Sequence, residues 1–353
     1  MTPQSTTLEL VELATFDHQV TGVTVSEDGR VFVNFPRWTE DAPVSVAELL
    51  SDGTLRPYPD ARWNAWRNAK KNELSAEDHF VCVQSVVCDW RGNLWVLDPA
   101  APATAQLVPN GPKLVQVDLA TSQVVNVFGF DENIAPQGSY LNDVRLSPTG
   151  LHAYITDSGA KGALVVVDLA NGEAWRVLDG DPSTQPEPDV VVHTDGEPLR
   201  RTDWRGVEFA ADGIALSRDG AWLYWQALTG RTLYRVPTDA LLDDAVSEEE
   251  VQQRVERVGE NGVSDGLWID ERGRMYVSAL EENAVKVRDL NADDDTVTTL
   301  VQDERLRWPD TFSQGPDGAM YVTASHIMDM PWYVEGNPLA VRTALFRFGA
   351  PAD

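Results

Sequence analysis

Residues Asp212–Trp225, DGIALSRDGAWLYW, hold an apolar strand, a Ser-Arg-Asp-Gly turn and a second apolar strand, the pattern of a β-hairpin. Five other stretches share the design: TGVTVSEDGRVFVNF from Thr21, VQSVVCDWRGNLWVL from Val83, LNDVRLSPTGLHAYIT from Leu141, SDGLWIDERGRMYVS from Ser264 and PDTFSQGPDGAMYVT from Pro309. Each turn closes on a glycine: Gly29, Gly92, Gly150, Gly220, Gly273 or Gly318. Such a turn needs a positive φ, which strains any residue with a Cβ. Successive glycines lie 63, 58, 70, 53 and 45 residues apart. A loose repeat of that period indicates a solenoid or a propeller.

A second hairpin signature follows the first in several repeats. It is KLVQVDLATSQVVNVF from Lys113 and GALVVVDLANGEAWRVL from Gly162, with an echo, AVKVRDLNADDDTVTTLV, from Ala284. In the first repeat, Val44–Leu50 and the following TLRPYPD take that place. Two hairpins per repeat make four strands, the usual propeller blade. The expected fold is therefore all-β: a six-bladed β-propeller with four-stranded blades, forming one domain over residues 1–353. Thr7–Phe16 and Thr343–Phe348 are strand-like and lie outside the six hairpins. They are expected to share the last blade, which closes the ring and removes exposed sheet edges.

The remaining segments are read as connections. Ala61–Lys71 is a short helix or irregular crossing whose Trp63 and Trp66 cover a rim. Asp179–Asp203, rich in Pro and Asp, crosses one face of the ring. A helix is expected between Pro237 and Val258, with a capping box at Ser247 and Glu250 and an apolar stripe of Val251, Val255 and Val258.

Bulk properties narrow the function. The net charge of −28 and the lack of a basic stripe argue against nucleic acid as a partner. No apolar run reaches membrane-spanning length, and the first residues lack the pattern of a signal peptide. As written, the chain reads as cytoplasmic. Cys82 and Cys88 are the only cysteines. On a strand from Phe80 to Cys88 they would stand roughly 20 Å apart, out of disulfide reach. Too few Cys are present for a thiolate metal site, and the five His residues show no metal-ligand spacing. Nucleophile-elbow, zincin, P-loop and dinucleotide motifs are missing as well, so no organic cofactor is expected.

Chemistry concentrates where the innermost strands begin, around one mouth of the channel. Those starts carry Gln84, Asn142 with Asp143, Asp212, Asp265 and Asp310. Carboxylates crowded together repel, so protonation, hydrogen bonding or a cation must relieve them. Asp143, Asp212, Asp265 and Asp310 are the candidate acid–base residues. Gln84, Asn142 and His193, the last beside Asp195 in the long crossing, are candidate ligand contacts. Asn142, Asp212 and Asp265 offer oxygen donors of the kind that suit Ca²⁺ or Mg²⁺. The expected partner is a small molecule.

The chain also resembles the Yellow/major royal jelly protein family in its bacterial form. The resemblance rests on FPRW (Phe35–Trp38), YPDARWNAW (Tyr58–Trp66), VQSVVCDWRGNLWVLD (Val83–Asp98), KLVQVDL (Lys113–Leu119), LNDVRL (Leu141–Leu146), AYITDS (Ala153–Ser158) and DGIALSRDGAWLYWQAL (Asp212–Leu228). It implies a six-bladed propeller. Members are linked to dopachrome conversion, to binding of biogenic amines or to nutrition, and many are secreted. A more distant resemblance is to the gluconolactonase/senescence-marker propellers, which hold a divalent cation at strand starts. Asn142 and Asp265 match that pattern. Asp212 replaces an Asn, and Val20-Thr21-Gly22 replaces the first-blade Glu. Three functions follow as expectations: a dopachrome-type tautomerase acting on a small aromatic molecule, a non-catalytic propeller that binds an amine-like ligand in the channel or protein partners on the ring, and a divalent-metal-dependent lactonase-like hydrolase.

Overall fold

The computed structural model describes residues 8–38, 42–102, 106–242, 246–292, 294–338 and 340–349. Strand β1 (Val11–Phe16) precedes the first blade, which comprises β2 (Val23–Val25), β3 (Val31–Asn34), β4 (Val46–Leu49) and β5 (Leu55–Pro57). Blade two holds β6 (Ser85–Cys88), β7 (Asn93–Asp98), β8 (Lys113–Asp118) and β9 (Gln123–Gly129). Blade three holds β10 (Leu141–Leu146), β11 (His152–Asp157), β12 (Ala163–Asp168) and β13 (Ala174–Val177). A small hairpin, β14 (His193–Thr194) and β15 (Glu197–Pro198), interrupts the long crossing. Blade four follows with β16 (Ala211–Leu216), β17 (Trp222–Ala227), β18 (Thr232–Pro237), two short helices α1 (Asp239–Leu242) and α2 (Glu248–Gln253), and β19 (Glu256–Glu260). Blade five holds β20 (Ser264–Ile269), β21 (Arg274–Ala279), β22 (Ala284–Asp289) and β23 (Val297–Gln302). Blade six holds β24 (Pro309–Gln314), β25 (Met320–Ala324) and β26 (Thr343–Phe348), and its fourth strand is β1.

Beside the two-stranded β14–β15 hairpin, the described residues form six antiparallel four-stranded sheets, so the chain is a six-bladed β-propeller. Closure is made by β1 pairing with β26, from Val11 opposite Arg347 to Phe16 opposite Thr343. The six turn glycines all have positive φ, between 69° and 81°. The core follows from strand alternation, since each blade buries both faces. Tyr154 of β11 faces Trp225 of blade four, whereas its neighbour Ile155 faces Trp95 of blade two. Six apolar layers thus separate the six blades. A seventh cluster caps one face of the ring, where the inner strands begin. It gathers Trp38, Trp66, Cys82, Val207, Trp308 and Met330 from the connections on that face.

Two local expectations are corrected. The strand through the cysteines begins at Ser85, not Phe80. Asp98 takes the amides of Val81 and Cys82 at 2.7 and 2.9 Å, and this carboxylate replaces a strand partner for the segment. Cys82 therefore sits in the cap, Cys88 on β6, and both are free thiols. The helix expected between Pro237 and Val258 shrinks to α2, six residues beneath the anticipated capping box. Val251 is buried, but Val258 belongs to β19, because blade four needs its fourth strand there. Trp63 and Trp66 are both buried beside a short helical turn at Asn68–Lys70. Thr7 lies outside the described residues. Among the described residues no helix is long and apolar enough to cross a membrane.

Candidate functional site

The inner strands do not run regularly. In β10, β16, β20 and β24 the ladder slips between the first residue and the fourth. A bulge re-aims the side chains it contains. Here it carries Asn142 and Asp143, Asp212, Asp265 and Asp310, the residues singled out at the strand starts. Hydroxyls on the second strands hold the bulges in place. Ser278 Oγ accepts the amides of Asp265 and Gly266 at 3.1 and 2.8 Å, and Thr323 Oγ1 accepts that of Thr311 at 3.1 Å. Thr156 Oγ1 reaches the next blade and donates to the Asp212 carbonyl at 2.6 Å.

The glycine after two of these aspartates has a packing cause. A Cβ on Gly213 would run into the Asp265 carbonyl, and one on Gly266 into the Asp310 carbonyl. Only a bare Cα lets adjacent inner strands approach so closely at the axis. The D-G pairs are therefore the device that stacks three aspartates from three blades, rather than simple turn residues.

Above them lies a cavity of about 300 Å³. Asp212 and Asp265 line it, with Gln84 and Asn142. Its apolar wall is Trp38, Phe209, Trp308 and Trp332, with Leu228 and Ile327. The rings of Trp38 and Trp332 stand 5.6 Å apart at 52°. Trp38 Nε1 donates to the Tyr140 hydroxyl at 2.8 Å, which in turn donates to Gln84 Oε1 at 2.8 Å. Asn142 Nδ2 donates to Ser158 Oγ at 3.1 Å.

The floor is electrostatically tense. Burial, followed by the neighbouring Asp265 charge, pushes the Asp212 carboxyl well above its ordinary range. Burial pushes Asp265 up to about 6. Hydrogen bonds from Trp308 and Asp212 restrain that rise, and the Trp308 bond is 2.6 Å from Nε1 to Oδ2. Asp212 and Asp265 are thus a coupled acid pair, in which burial and mutual repulsion favour one shared proton over two ionised carboxyls.

The other two aspartates stand apart from the cavity. Asp143 is buried, accepts from Ser85 Oγ at 2.6 Å and pairs with Arg145 at 3.0 Å. Its charge is already matched. Asp310 is buried, and burial with the Asp265 charge raises its carboxyl. His193 is on β14, outside the cavity wall, with Nδ1 bonded to the Val191 carbonyl at 2.8 Å. Its amide donates to Glu281 at 2.9 Å, while Asp195 takes both ends of the Arg307 guanidinium at 2.9 and 3.0 Å. These contacts pin the crossing over the mouth.

Asn142, Asp212 and Asp265 do share one cavity, as a hard cation would require. Yet among the described residues no three His, Cys, Asp or Glu side chains converge as metal ligands. An acid pair sharing a hydrogen bond fits a proton, and a divalent ion would have to displace that proton.

The aromatic collar escaped the reading of the sequence. Trp308 stands two residues before Asp310 and has φ of 54°, an uncommon backbone for a bulky residue. Trp332 and Tyr333 lie in the long connection between β25 and β26, whose length was the available signal.

The sequence profile of the major royal jelly proteins matches residues 81–334, more than two thirds of the chain. No curated protein shows significant sequence similarity to it. Among solved structures, a gluconolactonase from Xanthomonas campestris superposes with a TM-score of 0.57 at 13% identity, over 99% of this chain and 93% of that one. A calcium-binding regucalcin from Agrobacterium tumefaciens gives 0.56 at 15% identity, over 97% and 94%. A luciferin-regenerating enzyme gives 0.56 at 11%, over 97% and 95%. At such identities the likeness is one of fold.

Proposed function

Because the chain belongs to the major royal jelly protein family, we propose that it binds a small planar aromatic molecule at the channel mouth and moves a proton on it. The observation that carries this reading is the Asp212–Asp265 acid pair on the floor of a cavity walled by Trp38, Trp308 and Trp332. Indole faces hold a flat ring and exclude water, which strengthens every charge–dipole contact beneath it.

The pair divides the labour of a tautomerase. Asp212 donates its proton to a ring oxo group, whose π electrons shift toward that oxygen. Asp265, ionised above about 6 and aimed by Trp308, takes a proton from a ring carbon or hydroxyl. Bond order moves within the substrate, so no oxidant or water is consumed. Asp143 and Asp310 act on this step only through their charge and their protons.

The test is conversion of a dopachrome-type aminochrome, followed by loss of its visible absorbance. Asp265→Asn should lower the rate about 10²-fold or more, the usual share of a general base, while ligand binding persists. Binding without conversion by the unaltered protein would leave a non-catalytic binder.

A second reading draws on the gluconolactonase and regucalcin neighbours. Asn142, Asp212 and Asp265 would hold a divalent cation, which would polarise a lactone carbonyl. Lactone hydrolysis that is lost to a chelator and restored by Ca²⁺ would favour that reading over proton transfer.

A further inference from the structure

The cavity has a second polar end, at its rim. Arg201 lines it, half-buried, in the segment that crosses the mouth. Among the described residues its guanidinium has no hydrogen-bond or ion-pair partner. Tyr333 lines the same cavity, and its hydroxyl is buried without a hydrogen-bond partner. The Arg201 charge is close enough to this phenol to oppose the upward push that burial gives it. Two donors, one of them cationic, therefore line one cavity with no hydrogen-bond partner among the described residues, although the Arg201 charge also acts on the exposed Asp203 carboxyl two residues on.

Their placement is built. Arg201 N donates to the Arg205 carbonyl at 2.9 Å, and Thr202 N to the Trp332 carbonyl at 2.9 Å. The loop is thereby tied to the aromatic wall, which fixes the backbone that carries Arg201. Leaving a buried hydroxyl unpaired is unfavourable, and a guanidinium presents a fork that matches a carboxylate. Glu208 is the other charged residue of the rim and is exposed. Its carboxylate, within a chain of net charge −28, disfavours a phosphate dianion and tolerates an ammonium group.

We infer that Arg201 and the Tyr333 hydroxyl form a carboxylate subsite at the rim, so that the ligand is an aromatic zwitterion of the amino-acid type. Its ring lies along the Trp38–Trp332 wall, with its oxo or hydroxyl group on the acid pair and its carboxylate at the rim. This rests on the reading of the floor given above and adds the ligand's opposite end.

Calorimetric titration with L-tyrosine and its methyl ester tests the inference, because the ester keeps the ring and the ammonium but loses the anion. The unaltered protein should bind tyrosine about tenfold or more tighter than the ester, the effect of one charge-assisted contact. Arg201→Gln should remove most of that preference and Tyr333→Phe part of it, with affinity for the ester unchanged in both. A variant that merely misfolds would lose both ligands, and near-equal loss of both overturns the inference. So does equal binding of tyrosine and ester by the unaltered protein. If the ester still binds and Asp265→Asn still slows conversion of the aminochrome about 10²-fold, the floor reading survives that result. If neither compound binds, both readings fall.

Discussion

Trp308 Nε1 donates to Asp265 Oδ2 at 2.6 Å, from a backbone held at a φ of 54°. A buried indole in an uncommon conformation is thereby committed to one oxygen of one carboxylate. This N–H restrains the rise that burial imposes on Asp265. Trp308→Phe keeps the ring and removes the donor. The Asp265 carboxyl should then titrate above about 6, by roughly one unit. The acid limb of the pH–rate or pH–binding profile should move up with it. An unmoved profile would mean that Trp308 is only packing.

Asp310 tests the electrostatics away from the ligand. Its carboxyl is raised in the fold above the ordinary 3.8, so the folded chain binds a proton that the unfolded chain has lost. In that window stability falls as pH rises. Asp310→Asn removes the cost without changing size. The variant should melt about 2–4 °C higher than the parent at pH 8 and show a flatter dependence between pH 5 and 8. Below about pH 4 both should lose stability together, as Glu48, held low by Arg30 and Arg56, and Asp179, held low by Lys161 and Arg176, take up protons.

Ring closure rests on β1. Its pairing with β26 runs from Val11 to Phe16, and Leu10 packs against the layer between blades five and six. Deleting residues 1–16 strips that strand and bares the edge of β26. The melting temperature should fall by several degrees, since about 1–2 kcal/mol is a large part of a marginal stability. Melting that is unchanged by the truncation would show that three strands suffice for blade six.

Gly266→Ala probes the stack directly. The added Cβ meets the backbone carbonyl of Asp310, which cannot rotate away as a flexible side chain would. Blades five and six must separate at the axis, at a cost of about 1–3 kcal/mol. Thermal melting should report the loss, and the perturbed titration of Asp265 should relax toward an ordinary carboxyl as water enters.

A divalent ion must compete with the proton that Asp212 and Asp265 share. Any stabilisation by Ca²⁺ or Mg²⁺ should therefore grow from pH 6 to pH 8 and vanish in Asp265→Asn. Monovalent salt at matched ionic strength serves as the control for loose surface binding. Stabilisation that is equal at both pH values would place the ion elsewhere on this acidic surface.

Much of this was legible along the chain. The six glycine turns and the second hairpins specify strand count and blade number, because they depend on local φ and on a two-residue alternation. The pairing of Thr343–Phe348 with the N-terminal strand followed from the need to cover an edge. Legibility ended where a residue's state depends on neighbours distant in sequence. The anticipated helix shortened to α2 because blade four claimed Val258 for β19. Phe80–Gln84 left the strand because Asp98 bonded its amides.

The sequence by itself determined that the inner strands begin with acidic and amide residues, since those positions are set by the repeat. Tertiary structure alone decided what each of them does. The four aspartates look alike in sequence. Asp143 is neutralised by Arg145, two residues away, while Asp212 and Asp265, from different blades, share a hydrogen bond at the cavity floor. Asp310 is buried without lining the cavity, and His193 is carried outside it on β14. The reason is physical. Backbone hydrogen bonding is a local matter that sequence pattern can reveal, whereas burial and charge coupling depend on which side chains six converging strands bring to one axis.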